Sequence, residues 1–222
     1  MMNFVFLHVG EDSRPQLLVN SIRRHFPSAC IIQCTDHITK AISGVDLVNR
    51  YNGDIGNLMT FRLAVFAGLE IEGVSVYLDT DMLVLRSFQP ADLLGKHDIL
   101  LCERVFSRDA ALNTSFKGMD LSEYQDKSLG DVYPILACFT ITKSNEFWKE
   151  CAAELKRLPT KFHYWYGDQE AMRNVASCRN YDLAYVPESM VACLPEFLPS
   201  YPQALLAHFK GPSRKNLMME YD

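Results

Sequence analysis

The sequence predicts an α/β fold, a sheet flanked by helices, and three observations carry that expectation. Compact apolar runs, FVFLHV (4–9), ACIIQCT (29–35), VSVYLD (74–79) and DILLCER (98–104), have the length and β-branched content of buried strands. Segments with apolar residues every three or four positions stand between them, the strand–helix alternation of a sheet covered by helices. The 222 residues are 48% hydrophobic and 22% charged, ordinary globular values and enough for the core of one large domain.

Each element has its own justification. Gly10 and Pro15 bracket a polar turn after the first strand. QLLVNSIRRHF (16–26) then repeats Leu17, Leu18, Ile22 and Phe26 at helical spacing. ACIIQCT and a short DLVNR (46–50) are strands, and IGNLMTFRLAVFAGLE (55–70) is a strongly periodic helix. VSVYLD and DILLCER follow as strands. Residues 105–131 turn polar and rich in turn-formers, which suits a loop or a lid. YPILACFTITK (133–143) resumes strand character, and NEFWKECAAELKRL (145–158) is an amphipathic helix that stops before Pro159. GDQEAMRNVA (167–176) reads as a helix opened by an aspartate near its N-terminus. From Val186 the tail is punctuated by prolines and reads as irregular.

Charge and cysteine usage exclude several classes. A net charge of −5, with no basic run longer than Arg23-Arg24, argues against nucleic acid as a partner. Seven cysteines form no CxxC pair and lie mostly in apolar segments, where a free thiol acts as a small hydrophobe. That usage suits a reducing, cytoplasmic setting rather than a disulfide framework. MMNFVFLHVGEDSR lacks a basic n-region and reads as a strand rather than a signal peptide. No apolar stretch reaches membrane-spanning length.

The chemistry lies in VSVYLDTDMLV (74–84), where a buried strand delivers Asp79 and Asp81 with Thr80 between them. On a regular strand two such side chains point to opposite faces; where the chain turns, they can converge. Strand carboxyl ends are where open α/β sheets bind ligands. Two carboxylates held together repel unless a positive charge lies between them, and a divalent cation with hard oxygen ligands meets that need. An Asp-x-Asp by itself is weak, arising by chance in about half of chains this long, and a turn after a strand offers the same letters. The apolar flanks VSVYL and MLVL set these charges at the edge of a core.

YLDTDMLVLRSF resembles the metal-binding strand end of retaining glycosyltransferases of the GT-A fold, most of all glycosyltransferase family 8, which holds glycogenin and bacterial lipopolysaccharide galactosyltransferases. FRLAVF resembles the family's arginine-bearing helix through Arg62. GDQEAMRN resembles its DQ segment through Asp168, Gln169 and Asn174. AHFKG resembles its C-terminal motif through His208 and Gly211. The resemblance implies a Rossmann-like nucleotide-diphospho-sugar transferase with a mixed central sheet over residues 1–222. Residues 1–104 would form a nucleotide-binding half, 105–131 a lid, and 132–222 a donor-sugar and acceptor half.

It further implies that Asp79, Asp81 and His208 bind Mn²⁺ or Mg²⁺, with the imidazole favouring Mn²⁺. His8, Val9, Gly10, Arg62, Thr80, Gly211, and Arg214 or Lys215 would join the two acids in binding the sugar nucleotide. Asp168 would hold the donor sugar, and Gln169 would lie near its anomeric carbon. The implied reaction moves a hexose from a UDP-sugar to a glycan or glycolipid hydroxyl, with retention by front-face displacement, as in polysaccharide biosynthesis. The setting would be cytoplasmic, with room for peripheral contact at the inner face of a membrane.

This sequence departs from the family in three places. Ile135 and Ala137 stand where an Asn-x-Gly is usual. His8, Val9 and Gly10 replace acidic residues at the first strand's end. Arg214 takes the usual lysine position, with Lys215 next to it. Met190, Leu194, Phe197 and Leu198 could line an acceptor cleft or simply pack a loop. The rivals are a haloacid-dehalogenase-like phosphatase, which also uses DxD but needs an acid where Met172 stands, and a non-catalytic nucleotide-sugar-binding module. A sugar nucleotidyltransferase would need a basic Gly-rich N-terminal loop, for which LHVGEDSRP is a poor match.

Overall fold

The computed structural model describes residues 2–115, 119–178 and 181–221. The first half alternates as expected: β1 (Met2–Leu7), α1 (Arg14–His25), β2 (Cys30–Thr35), β3 (Leu47–Arg50), α2 (Leu58–Ala67), β4 (Val74–Leu78), β5 (Met82–Val84), α3 (Pro90–Leu94) and β6 (Ile99–Glu103). Then come α4 (Leu129–Val132), β7 (Ile135–Thr142), α5 (Glu146–Leu155), α6 (Gly167–Ser177), β8 (Leu183–Pro187), α7 (Glu188–Val191), β9 (Leu206–His208) and α8 (Pro212–Met218).

Seven strands form one sheet in the order β3-β2-β1-β4-β7-β6-β8. β7 runs antiparallel to both β4 and β6, while the other pairings are parallel, so the sheet is mixed. β5 and β9 pair apart from it as a two-stranded antiparallel ladder.

Period-two alternation explains the two sides. Phe4 and Phe6 of β1 pack with Leu18 and Ile22 of α1, while Val5 packs on the other face with Leu63 and Phe66 of α2 and Trp148 of α5. Both faces are covered, which is why the central strands read as continuous apolar runs. Beyond β1 the chain moves out through β2 and β3, then returns to β4 on the opposite side. That reversal leaves a crevice at the carboxyl ends of β1 and β4, the place where such sheets take ligands.

Element ends differ from the sequence reading for local reasons. Gly68 closes α2, so the helix stops at Ala67 although Leu69 beyond it is still buried. Asp168 does not cap α6: Tyr166 is the N-cap, in a left-handed conformation (φ 60°), and the Asp168 side chain turns inward. The tail is less irregular than expected, since β8 completes the sheet edge and β9 pairs with β5. The 105–131 segment is mostly exposed and is anchored at a few points: Leu112, Met119 and Leu121 are buried and cluster with Tyr133 and Phe162. The rest of that lid expectation, residues 116–118, lies outside the described residues. All seven cysteines are free thiols. No helix among the described residues is long and apolar enough to cross a membrane.

Candidate active site

β4 ends at Leu78, and Asp79 keeps one more backbone bond, its N–H donating to the Cys138 carbonyl at 3.0 Å. The chain then turns at Thr80–Asp81 and enters β5. The Phe209 N–H donates to the Asp81 carbonyl at 2.8 Å, and Met82 pairs with His208, so the small ladder sets the imidazole beside the acids. His208 Nε2 lies 3.3 Å from Asp81 Oδ1 and 3.9 Å from Asp79 Oδ2.

One ligand atom from each of Asp79, Asp81 and His208 lies within 4.8 Å of the others. Two hard carboxylate oxygens and one imidazole nitrogen suit a divalent ion, with the nitrogen leaning toward Mn²⁺ over Mg²⁺. The donor set fits the metal that the resemblance implies.

Cations surround the acids. Arg62, on α2, is buried with Nη1 3.0 Å from Asp79 Oδ1 and Nε 3.6 Å from Asp168 Oδ2. Its Nη1 also donates to the Ala137 carbonyl at 3.0 Å. Lys215 Nζ lies 3.1 Å from Asp81 Oδ2. Burial alone would push the Asp81 carboxyl up, but His208 and Lys215 outweigh it and hold the group well below the usual carboxylate range. Burial pushes the His208 imidazole down, yet Cys138 and Asp81 beside it carry it up to about 10.

Asp168 is 2% exposed, and its burial raises its pKa against the pull of Arg62 and the Gln169 N–H, which donates to Oδ1 at 2.8 Å. Gly167 permits this arrangement. A Cβ there would sit 1.8 Å from the Phe162 carbonyl oxygen, so only glycine lets α6 begin this close to the preceding turn.

These residues line a cavity of about 620 Å³ containing Arg62, Asp79, Asp81, Asp168, Gln169, His208, Gly211 and Lys215. Gly211 has φ +87°, and this left-handed turn starts α8 so that Lys215 reaches back to the acids. Arg214 lines no part of this cavity; it pairs with Glu196 through Nε and donates to the Lys210 carbonyl. Thr80 is half-buried between the acids. Asn174, on the far turn of α6, donates to Glu154 at 2.9 Å and holds helix to helix.

His8, Val9 and Gly10 line a second cavity, of about 660 Å³, with Asp36, Ile38, Thr39 and Ile42. Gly10, at φ +100°, donates its N–H to Thr39 Oγ1 at 2.8 Å. Burial pushes the His8 imidazole below its ordinary value despite Asp12. Ile135 is buried in the core and offers the cleft no polar group, while Ala137 lines it. Leu194 is buried and Phe197 stacks on Phe106 at 4.4 Å, so much of that stretch is packing.

The sequence reading missed Arg104, the last residue before the polar segment. It is buried, donates from Nη2 to Gln169 Oε1 at 3.0 Å and from Nε to the Tyr133 carbonyl at 2.7 Å, and so fixes the amide's direction. A charged residue closing an apolar strand, as in DILLCER, is the signal that could have found it. The phosphatase alternative loses its second acid: Met172 is fully buried in the apolar core.

A mixed sheet with a switch-point crevice and an Asp-x-Asp at its rim has the architecture of the GT-A glycosyltransferases, and solved structures bear this out. The bifunctional glycosyltransferase WbbM superposes with a TM-score of 0.61 at 15% identity, over 95% of this chain but only 46% of its own. The galactosyltransferase LgtC, solved with donor and acceptor sugar analogs, gives 0.61 at 14% identity, covering 98% of this chain and 94% of its own. An active-site variant of LgtC gives 0.58 at 14% identity over 99% and 95%. No family model matches the sequence, and no curated protein matches it. At 14–15% identity this likeness establishes the fold alone.

Proposed function

We propose that the protein is a metal-dependent glycosyltransferase that moves a hexose from a nucleotide-diphosphate sugar, UDP as the nucleotide, to a glycan or glycolipid hydroxyl in the cytoplasm. The observation that carries the reading is the convergence of Asp79, Asp81 and His208, within 4.8 Å, in the cavity at the carboxyl end of β4. The shared fold with LgtC, whose complex holds donor and acceptor sugar analogs, supports it.

Asp79, Asp81 and His208 would hold Mn²⁺, which when bound offsets the charge that grows on a departing diphosphate. Lys215 adds a mobile positive charge beside it, and Arg62 fixes Asp79 and Asp168 in their relative positions. Asp168 accepts hydrogen bonds from donor-sugar hydroxyls. The His8–Gly10 cavity receives the nucleoside.

Neither candidate nucleophile is free to attack. Asp168 is enclosed by Arg62 and its neighbour's N–H, and Gln169 is an amide held by Arg104. Retention therefore proceeds on the front face: the acceptor oxygen bonds to the anomeric carbon as the carbon–phosphate oxygen bond breaks, and the departing phosphate takes the acceptor's proton. Positioning supplies much of the rate. A lid formed by the 105–131 segment would cover the donor against water, and peripheral contact with a membrane would bring a lipid-linked acceptor to it.

Mn²⁺-dependent release of UDP from UDP-glucose and UDP-galactose without acceptor tests this reading. Slow hydrolysis that stops with chelator is the expected result. Binding without any turnover would mark a sugar-nucleotide-binding module, and phosphate release from a phosphomonoester would favour a phosphatase.

A further inference from the structure

Both acids of the Asp-x-Asp pair have internal counter-charges. Arg62 Nη1 lies 3.0 Å from Asp79 Oδ1, and Lys215 Nζ lies 3.1 Å from Asp81 Oδ2. The other Asp81 oxygen faces His208 Nε2 at 3.3 Å, so both oxygens of this buried carboxylate are engaged. A divalent ion that uses Asp81 must compete with a cation belonging to the protein.

The two counter-ions differ in how firmly they are held. Arg62 is buried and fastened also to Asp168 and the Ala137 carbonyl. Lys215 is 36% exposed along its side chain, and among the described residues Asp81 is its one ion-pair partner. Its flexible four-carbon stem carries a compact charge that can swing, whereas neighbouring Arg214 is fixed on Glu196.

Charge counting gives the direction. Asp79, Asp81 and Asp168 against Arg62 and Lys215 sum to one negative charge. A divalent cation entering alone leaves a surplus positive charge in a partly buried cleft, which is costly. The diphosphate of a sugar nucleotide carries two negative charges and removes that surplus. It also offers the Lys215 ammonium phosphate oxygens in exchange for Asp81.

Resting on the metal and donor reading above, we propose that Lys215 is a tethered competitor for the cation. It holds Asp81 until a diphosphate draws it away, so that divalent ion and nucleotide each bind more tightly in the other's presence. The coupling is reciprocal by thermodynamic necessity.

The test titrates Mn²⁺ into the protein with and without saturating UDP, following the free aquo-ion by electron paramagnetic resonance. Lys215→Met should bind Mn²⁺ alone about tenfold more tightly than the wild type, within the usual range of coupling between sites. The strengthening that UDP produces should shrink in that variant. Arg214→Met removes the same charge from the same helix without touching Asp81 and should leave Mn²⁺ affinity near the wild-type value.

Unchanged Mn²⁺ affinity in Lys215→Met, or an equal gain in Arg214→Met, overturns the inference. In the first case the lysine does not compete; in the second the effect is a general field. Should Lys215→Met fail to fold, Lys215→Gln repeats the measurement. If wild type binds neither Mn²⁺ nor UDP, the metal and donor reading itself falls, and this inference falls with it. If both bind and Lys215→Met is unaltered, only the inference is lost.

Discussion

Replacing Arg62 by methionine keeps an unbranched apolar stem and deletes the guanidinium with its charge. In the wild type this buried guanidinium lies 3.0 Å from one carboxylate and 3.6 Å from another, and donates to a main-chain carbonyl. Asp168, 2% exposed, would keep the Gln169 N–H but lose its only ion-pair partner among the described residues. Breaking a buried pair from one side costs about 3–5 kcal/mol, because the stranded charge keeps its desolvation penalty. For a domain of this size that corresponds to a melting-point drop on the order of 10 °C.

The pH dependence follows from Asp168. Burial raises its folded pKa above the ordinary aspartate value of 3.8. Such a group disfavours folding as pH climbs through the interval between the unfolded and folded values. Without Arg62 the folded value rises further and the interval widens upward. The penalty of Arg62→Met should therefore be largest near pH 8 and shrink toward pH 5. Urea denaturation followed by fluorescence of the buried Trp148 measures it. Adding Asp168→Asn should recover part of the loss, since an amide carries no charge to strand. A loss below about 1 kcal/mol, or no recovery in the double variant, would refute the view that Arg62 neutralises Asp168.

Four other outcomes are expected. Asp81→Asn should abolish metal-dependent donor binding while the far-ultraviolet spectrum stays native, and undiminished UDP affinity with Mn²⁺ in a thermal-shift titration would count against the metal assignment. His208→Ala should weaken Mn²⁺ more than Mg²⁺, because it removes a nitrogen ligand; equal losses by calorimetry would take the histidine out of the coordination shell. Arg104→Lys should lower kcat about tenfold with UDP affinity unchanged, since it frees the Gln169 amide rather than a phosphate contact. Glu188→Ala should cost about 3–5 kcal/mol, because it strips a buried carboxylate from Lys210 and from the Val105 and Phe106 N–H groups. Burial opposes ionisation of Glu188, but those partners hold its pKa below the ordinary value of 4.5. Its stabilisation is thus present above 4.5 and lost as pH falls through the folded value, so urea melts of the variant should be flatter across that acidic range.

The fold was legible where burial and periodicity agree. β1, β2 and β4 are covered on both faces, so they survive in the sequence as uniform apolar runs, and α2 and α5 announce themselves by spacing. The antiparallel direction of β7 was not visible in its residues, because direction is set by which strands it joins rather than by composition. The three-residue strands β5 and β9 were equally silent, being too short to show alternation.

Of the candidate site, Asp79, Asp81, Asp168, Gln169 and His208 were each legible as motif residues, and they line one cavity. Which of Arg214 and Lys215 faces the acids was not legible, since it depends on how α8 turns after Gly211 and on Glu196, eighteen residues earlier, taking the arginine. Arg104 was hidden for a related reason: its work is to orient another side chain across 65 positions.

The pairing of β5 with β9 carries more of the site than its length suggests. Asp79 and Asp81 would diverge if β4 simply continued; the turn at Thr80–Asp81 brings them together, and Met82 then begins a strand whose partner at that register is His208. The ladder thus joins the start of one element to the end of another, 126 residues apart, and converts two acids at a strand end into a three-ligand set. Because side chains alternate, a slip of β9 by one residue would turn His208 to the opposite face and bring Ala207 or Phe209 in its stead. Leu83 and Ala207, both buried with Phe209 and Met218 on one side, oppose such a slip, since it would expose their face. The apolar residues that follow the acids in DTDMLV (79–84) read as core alone in the sequence; they also hold the register on which the chemistry depends.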